Sequence, residues 1–180
     1  MAKTERLRKG PVALRYFRES DAAAVAASCA DPEIPRFTMM PDDLDERQAL
    51  AWIVRRNGLR ERGLFAFAIT ADESDTCIGQ MGVGIDRANR RAQMFYWLDR
   101  SHRGRGLTTT ALQLITGWAF TEFDIVRAQL VTHPENASSQ RVAVKAGYRL
   151  EGLLRAWEPV KDDQPDVLMF SRLRQDPVPA

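Results

Sequence analysis

The chain has 180 residues, 44% hydrophobic and 28% charged, which suits one globular domain with a full hydrophobic core. Its formal net charge of +2 is small and its basic and acidic residues are interleaved, so the sequence does not indicate a nucleic-acid partner. No apolar run reaches the roughly 18–20 residues that span a bilayer, and two cysteines indicate no disulfide framework, so we expect a cytoplasmic protein without a membrane partner.

The first half of the chain predicts strands and helices in alternation. Residues 12–17 form a loosely alternating strand, and Ser20-Asp21 precedes an alanine-rich helix that it is expected to cap. The segment 31–41 contains three prolines and is not predicted to be one continuous helix. Asp42-Asp43 is expected to open a second helix. Two strands, 64–69 and 76–85, follow around an acidic turn.

The second half has a more specific order. An aromatic-rich strand at 92–98 leads into a glycine turn and a helix that begins near Leu107. A strand at 127–133 ends before Pro134, and Asn136 is placed to cap a helix that Gly147 terminates. Extended chain resumes at 148–152, and residues 155–173 are predicted to form a hairpin with 161–164 at its tip.

The turn from Arg103 to Thr108 has the features of a phosphate-binding loop. The first N–H groups of a helix lack internal partners and carry partial positive charge, and Gly104 and Gly106 allow close backbone approach. Arg103 and Arg105 add two permanent charges. A solvated basic turn with a glycine cap explains the same residues. The two standard phosphate-loop motifs, Gly-x-x-x-x-Gly-Lys-Ser/Thr and Gly-x-Gly-x-x-Gly, are absent from the sequence.

Two motifs together resemble a known superfamily. Arg103-x-x-Gly106-x-Thr108 is similar to the pyrophosphate loop of GNAT acyl-CoA-dependent N-acyltransferases, and Asn136-x-x-Ser139 to their second acyl-CoA element, which runs on to Lys145-Ala146-Gly147-Tyr148. The Tyr-Trp-Leu before the loop and Ser139 resemble the ribosomal-protein N-terminal acetyltransferases (the RimJ/RimL-like branch). The resemblance covers about residues 11–174 as one domain, leaving 1–10 and 175–180 as flexible termini.

This resemblance implies an α/β (α+β) fold with a mixed, mostly antiparallel sheet of six or seven strands flanked by helices. The strands ending near Leu98 and beginning near Arg127 should form its parallel pair, because a helix crossover joins them. A bulge in the earlier strand and a splay between the two are expected. The splay would leave N–H and C=O groups unpaired, and the amides of the pantetheine arm of acyl-CoA would satisfy them.

The implied cosubstrate is acetyl-CoA, with no metal, since the two histidines have no metal-ligand spacing. Asn136 would either contact the pantetheine arm or serve only as a helix cap. The residues expected to bind acetyl-CoA are Trp97, Leu98, Asp99, Arg103, Gly104, Arg105, Gly106, Leu107, Thr108, Asn136, Ser139, Arg141 and Lys145.

The implied reaction is direct attack of a neutral amine on the thioester, followed by protonation of the leaving thiolate. Ser139 matches the proton donor of the serine-bearing branch, with an ordinary helix residue as the alternative. Tyr96 is a second catalytic candidate, with a core aromatic as its alternative. The sequence departs from the superfamily at Gln93, where a glutamate is common, at Phe95, where a glycine is common, and at Ala143, where a tyrosine often protonates the thiolate.

The loop 31–41 and the hairpin 155–166 are expected to enclose the acceptor. The candidate acceptor-binding residues are Glu33, Phe37, Met39, Met40 and Trp157. An acetyltransferase for a protein or peptide N-terminal amine is the first hypothesis. A small-amine acetyltransferase, acting on an antibiotic, polyamine or amino-acid derivative, and a non-catalytic acyl-CoA-binding module are the others. The oligomeric state, monomer or homodimer, stays open.

Overall fold

An eight-stranded sheet is the centre of the molecule, in a computed structural model that describes residues 6–178. Its spatial order is β1-β2-β3-β4-β5-β6-β8-β7, and only β5 and β6 run parallel. The strands are β1 (Arg6–Lys9), β2 (Val12–Tyr16), β3 (Leu64–Ala71), β4 (Gly79–Asp86), β5 (Arg91–Leu98), β6 (Arg127–Thr132), β7 (Arg149–Leu154) and β8 (Val167–Leu173).

Five helices cover the two faces of the sheet. They are α1 (Ala22–Cys29), α2 (Glu33–Phe37), α3 (Glu46–Gly58), α4 (Leu107–Glu122) and α5 (Ala137–Lys145). One core packs α4 and α5 on the sheet, and a second packs α1, α2 and α3 on the opposite face. No helix within residues 6–178 is long and apolar enough to cross a bilayer.

The fold class and the parallel pair are confirmed, and the strand count is eight instead of six or seven. The additional strand is β1, whose sequence RLRK lacks apolar alternation because it lies at the sheet edge and is mostly exposed. The residues of β1 fall within segment 1–10, which the sequence predicts to be a flexible terminus. Residues 1–5 and 179–180, the other ends of the expected termini, lie outside the described part.

Local capping differs from the sequence expectation in the first half of the chain. Asp21 does not cap α1, because its carboxylate receives two hydrogen bonds from the buried guanidinium of Arg15, at 2.7 and 2.8 Å. Asp45, not Asp42-Asp43, caps α3 and accepts from the N–H of Gln48 at 2.7 Å. The second difference is local, since Asp45 and Gln48 form a reciprocal capping box, whereas the first depends on the contact with Arg15.

The proline-rich segment contains the short helix α2, with Pro35 inside it. A proline is tolerated there because N–H groups of the first turn have no helical acceptor. The C-terminal hairpin is also longer than expected: its strands are β7 and β8, and residues 155–166 form the connection between them. A bulge lies in β7, between Leu150 and Gly152, while β5 pairs with β4 in one uninterrupted register. The bulge expected in β5 is therefore absent.

Candidate active site

The central feature is a gap between the two parallel strands. β5 and β6 are paired only from Arg91↔Arg127 to Gln93↔Gln129, after which β5 continues to Leu98 and β6 to Thr132 without further pairing between them. A cavity of about 560 Å³ opens at this gap. The separated edges carry N–H and C=O groups that an amide-bearing ligand can pair with in the manner of an added strand.

A polar network marks the point where the strands separate. The amide of Gln129 donates to Oε1 of Gln93 at 2.9 Å, and Arg127 donates to Gln129 at 2.7 Å. Arg127 also donates to the carboxylate of Glu151 on β7, and the hydroxyl of Ser171 donates to the same carboxylate. Hydrogen bonding from Arg127 holds the pKa of Glu151 down at about 2. The network therefore joins β5, β6, β7 and β8 below the gap and fixes where the splay begins.

The turn before α4 lies at one end of the cavity. Gly104 and Gly106 both have φ of +78°, the left-handed conformation that favours glycine, and a Cβ at either would meet no atom within 4 Å. Gly106 is the N-cap of α4, and no side chain caps this helix. The first N–H groups of α4 are thus available to an anion in the open space before them.

The charges around this turn come from two sources. Arg103 pairs with Asp31 and donates from Nε to the carbonyl of Leu98 at 3.0 Å, and Arg105 pairs with Asp72 at 3.2 Å. Both guanidinium groups therefore have carboxylate partners. The side chains of Arg141 and Lys145 line the cavity from α5 and form no ion pair within the described residues.

Two hydroxyl groups meet beside the gap. Asn136 caps α5 by accepting from the N–H of Ser139 at 3.0 Å, which fixes the first turn of that helix. Oγ of Ser139 lies 2.8 Å from Oη of Tyr96, which reaches it from β5. Burial raises the pKa of Tyr96 to about 12, so its phenol is protonated at neutral pH. The Ser139 hydroxyl can therefore donate to a group in the cavity while it accepts a hydrogen bond from Tyr96.

On the face of β5 that points towards α3, Phe95 occupies the space over a glycine of the neighbouring strand. Gly82 is its register partner in β4, and a Cβ at Gly82 would lie 2.1 Å from the Phe95 ring. Beside them, Nε1 of Trp97 donates to Oε1 of Gln80 at 3.0 Å. The large ring and the glycine compensate each other in volume, so β5 stays regular instead of bulging.

Two segments, the α2 region and the connection between β7 and β8, border the cavity where an acceptor is expected. The α2 segment contributes Phe37, whose ring lies 5.3 Å from that of His133, and the connection 155–166 contributes Trp157 and Glu158. Met39 is exposed at the cavity and Met40 is buried behind it. The two segments leave an apolar opening with the carboxylates of Glu33 and Glu158 on its lining.

Comparison with known proteins identifies the architecture. The acetyltransferase (GNAT) domain family matches residues 12–149. The chain belongs to the GNAT acetyltransferase family. It is 33% identical over 175 residues to the uncharacterized N-acetyltransferase p20 of Bacillus licheniformis, a match that covers 96% of each chain.

Two further matches lie in the ribosomal-protein branch. The ribosomal-protein-serine acetyltransferase of Escherichia coli K12 is 31% identical over 116 residues, 64% of each chain. The structure of Mycobacterium smegmatis RimJ in complex with CoA-disulfide is 27% identical and superposes with a TM-score of 0.80, covering 94% of this chain and 86% of that one. The resemblance predicted from the two sequence motifs is thereby confirmed, and the chain is an acyltransferase of this family.

Most residues selected on the GNAT resemblance lie around one cavity. These are Glu33, Phe37, Met39, Met40, Tyr96, Trp97, Leu98, Arg103, Gly104, Gly106, Leu107, Thr108, Asn136, Ser139, Arg141, Lys145 and Trp157. Arg105 and Asp99 do not line it. Asp99 caps the 3₁₀ turn that follows β5, where it accepts from the N–H of Ser101 at 2.9 Å and contacts His102.

Several lining residues were not selected from the sequence. Arg56, Gln80 and Thr132 line the cavity and each has a buried polar atom with no hydrogen-bond partner among residues 6–178. The sequence does not distinguish Arg56 from the other arginines of α3. It does not identify Gln80 either, because that residue lies in a mostly apolar strand with no motif around it. Within the described residues no group of three or more His, Cys, Asp or Glu side chains is arranged to hold a metal ion.

Proposed function

We propose that this GNAT enzyme transfers an acetyl group from acetyl-CoA to the α-amine of a protein or peptide N-terminus. The observation that carries the proposal is the contact between Ser139 and Tyr96 at the mouth of the strand gap. Acetyl-CoA supplies the activated thioester. The names of two relatives, a ribosomal-protein-serine acetyltransferase and RimJ bound to CoA-disulfide, support the acceptor and the cosubstrate.

The cavity offers complementary groups along the length of acetyl-CoA. The uncapped start of α4 after Gly106 suits the pyrophosphate, and Arg141 and Lys145 supply positive charge without competing carboxylates in the described chain. The unpaired edges of β5 and β6 suit the pantetheine amides. The thioester would then lie where the strands separate, beside the Tyr96–Ser139 hydroxyl pair.

Ser139 is the proposed donor of the proton to the leaving thiolate, and Tyr96 orients that hydroxyl through the hydrogen bond between them. The proton that the amine nitrogen loses as the amide forms restores the Ser139 hydroxyl. Ala143, where other GNAT enzymes place a tyrosine, is fully buried and cannot reach the cavity. Tyr96 enters the same site from the strand instead of the helix. The acid function is thus served by a phenol–alcohol pair whose atoms are 2.8 Å apart.

The acceptor amine needs only weak base assistance if it is an α-amine, whose pKa is near ~8. Gln93 occupies the position where a glutamate is common and cannot accept a proton. The remaining carboxylates that line the cavity, Glu33 and Glu158, are exposed to water and can remove a proton through it. This arrangement suits an amine that is already partly neutral at physiological pH.

Release of CoA thiol, followed with 5,5′-dithiobis-nitrobenzoate, tests the proposal on a panel of pentapeptides that begin with each common residue. Matched controls are the same peptides with a blocked α-amine and one internal lysine, together with spermidine and free amino acids. Turnover of free α-amine peptides, with mass-spectrometric acetylation at the first residue, is the expected result. Turnover of the small amines alone would contradict it, as would CoA binding without turnover.

A further inference from the structure

A cationic side chain without a counter-ion lines the cavity from α3. The guanidinium carbon of Arg56, on α3, lies 5.1 Å from the ring centroid of Trp52 and 5.6 Å from that of Phe95. Its Nε is buried and has no hydrogen-bond partner, and no carboxylate within residues 6–178 pairs with it. Burial, followed by the charge of Arg55, lowers the pKa of Arg56. A partly buried guanidinium without a counter-ion is stabilised when a ligand supplies an anionic partner.

Other donors without acceptors lie on the same wall. Oε1 of Gln93 is occupied by Gln129, while its Nε2 makes no hydrogen bond within the described residues. Gln80 is 1% exposed and its Nε2 has no partner. Gln80, Gln93 and Phe95 belong to the sheet face that points towards α3, so these amides and Arg56 border the same side of the cavity. The wall therefore offers N–H donors and no carboxylate.

Space for a ligand group is available on the sheet beside Gln93. Gly84 pairs with Leu64 on one side and Gln93 on the other, and both neighbours line the cavity. A Cβ at Gly84 would meet no atom within 4 Å. The floor between Leu64 and Gln93 is thus open.

We propose that Arg56 binds a carboxylate of the amine acceptor, so that the enzyme selects peptides with an acidic residue shortly after the acetylated N-terminus. This inference rests on the proposed function and narrows it to acidic N-terminal segments. The carboxylate neutralises the unpaired guanidinium, and the amides of Gln93 and Gln80 donate to the oxygens of the peptide that enters beside it. A polyamine would place a second positive charge against Arg56, which disfavours that class of acceptor.

The test compares three peptide series with Glu, Gln or Lys at the second, third and fourth positions after the best first residue of the panel. For the wild type we expect kcat/KM to be about tenfold higher for Glu than for Gln at one of these positions, and lower again for Lys. Arg56→Met keeps an apolar stem against Trp52 and should remove this preference. Arg56→Lys should retain part of it, and Arg56→Glu should reverse it in favour of Lys.

The matched control is Arg55→Met, because Arg55 is the preceding residue of α3, is exposed and does not line the cavity. It should keep the wild-type preference for Glu. Equal kcat/KM for Glu, Gln and Lys peptides in the wild type would overturn this inference and leave the N-terminal acetyltransferase function standing. Absence of turnover with every peptide of the panel would overturn both. An unaltered Glu preference in folded Arg56→Met would overturn the assignment to Arg56.

Discussion

Removing the hydroxyl of Ser139 tests the proposed proton donor directly. In Ser139→Ala, Oη of Tyr96 loses its partner at 2.8 Å and keeps only a contact of 3.4 Å to the carbonyl of residue 139. A positioned acid contributes roughly 10²–10⁴-fold, and a water molecule can replace part of it, so we expect the acetyl-transfer rate to fall about 10–100-fold. Acetyl-CoA affinity should change little, because the sites proposed for the pyrophosphate and pantetheine groups do not use the Ser139 hydroxyl.

A double-mutant cycle with Tyr96→Phe separates catalysis from packing. If the two hydroxyls act as one relay, Tyr96→Phe and Ser139→Ala should each cost a similar factor and the double variant little more. Single-turnover transfer in rapid-quench experiments is the assay, with thermal unfolding of each variant as the control for stability. Ser139→Ala leaves the Tyr96 hydroxyl without its partner, which costs about 1–3 kcal/mol, whereas the double variant has neither hydroxyl. Ser139→Ala is therefore expected to unfold at a lower temperature than the double variant.

The pH dependence gives an independent criterion. A thiol like that of CoA has an unperturbed pKa near ~8.5, so its thiolate leaves without protonation at higher pH. The defect of Ser139→Ala should therefore be largest near neutrality and shrink above about pH 9. Burial raises the pKa of Tyr96 to about 12, so the phenol itself stays protonated across this range. Wild-type single-turnover rates in a folded Ser139→Ala protein, at every pH, would refute the assignment.

Three further predictions concern the turn, the strand packing and acid stability. Gly106→Val forces a β-branched residue to φ of +78° and should weaken acetyl-CoA binding at least about tenfold (~1.4 kcal/mol) by calorimetry, whereas Gly117→Ala, in the middle of the same helix with open space for its Cβ, should not. Gly82→Ala should destabilise the fold by about 1–3 kcal/mol in urea titrations, and the double variant with Phe95→Gly should lose less than the sum of the two single losses; an additive result would contradict the packing account. The folded-state pKa of Glu151 is depressed to about 2, so its contribution is present above the ordinary value of 4.5 and lost as pH falls towards 2; Glu151→Gln should flatten the stability–pH curve in that window, and an unchanged slope would contradict it.

The parts of the fold that the sequence predicts are those specified by local chemistry. Gly104 and Gly106 mark a turn because few other residues adopt positive φ, and Asn136 marks the start of α5 because its side chain can satisfy a free N–H. The parallel pairing of β5 and β6 follows from the helix that connects them. The two turn and cap signals lie within a few residues, and the pairing follows from the order of consecutive elements, so contacts between distant segments are not needed to interpret them.

The parts that escaped the sequence depend on contacts between distant segments. The regular register of β5 depends on Phe95 meeting Gly82, two residues that are not adjacent in the chain. The role of Asp21 depends on Arg15 turning inwards to meet it. Arg56 is distinguished from the exposed Arg55 only by the direction in which α3 packs on the sheet.

The replacement of a common glutamate by Gln93 and the choice of acceptor are connected by acid–base chemistry. A lysine ammonium has a pKa near ~10.4 and an α-ammonium one near ~8, so at neutral pH the α-amine is about 250 times more often neutral. A carboxylate in place of Gln93 would assist a lysine side chain, but it would also face Arg56 and occupy the charge that we assign to the acceptor. With Gln93, that wall keeps its hydrogen-bond donors and the guanidinium stays available. In the function that we propose, the absence of a base at Gln93 and the anion-binding wall that Gln93 borders both favour an N-terminal α-amine over a lysine or a polyamine.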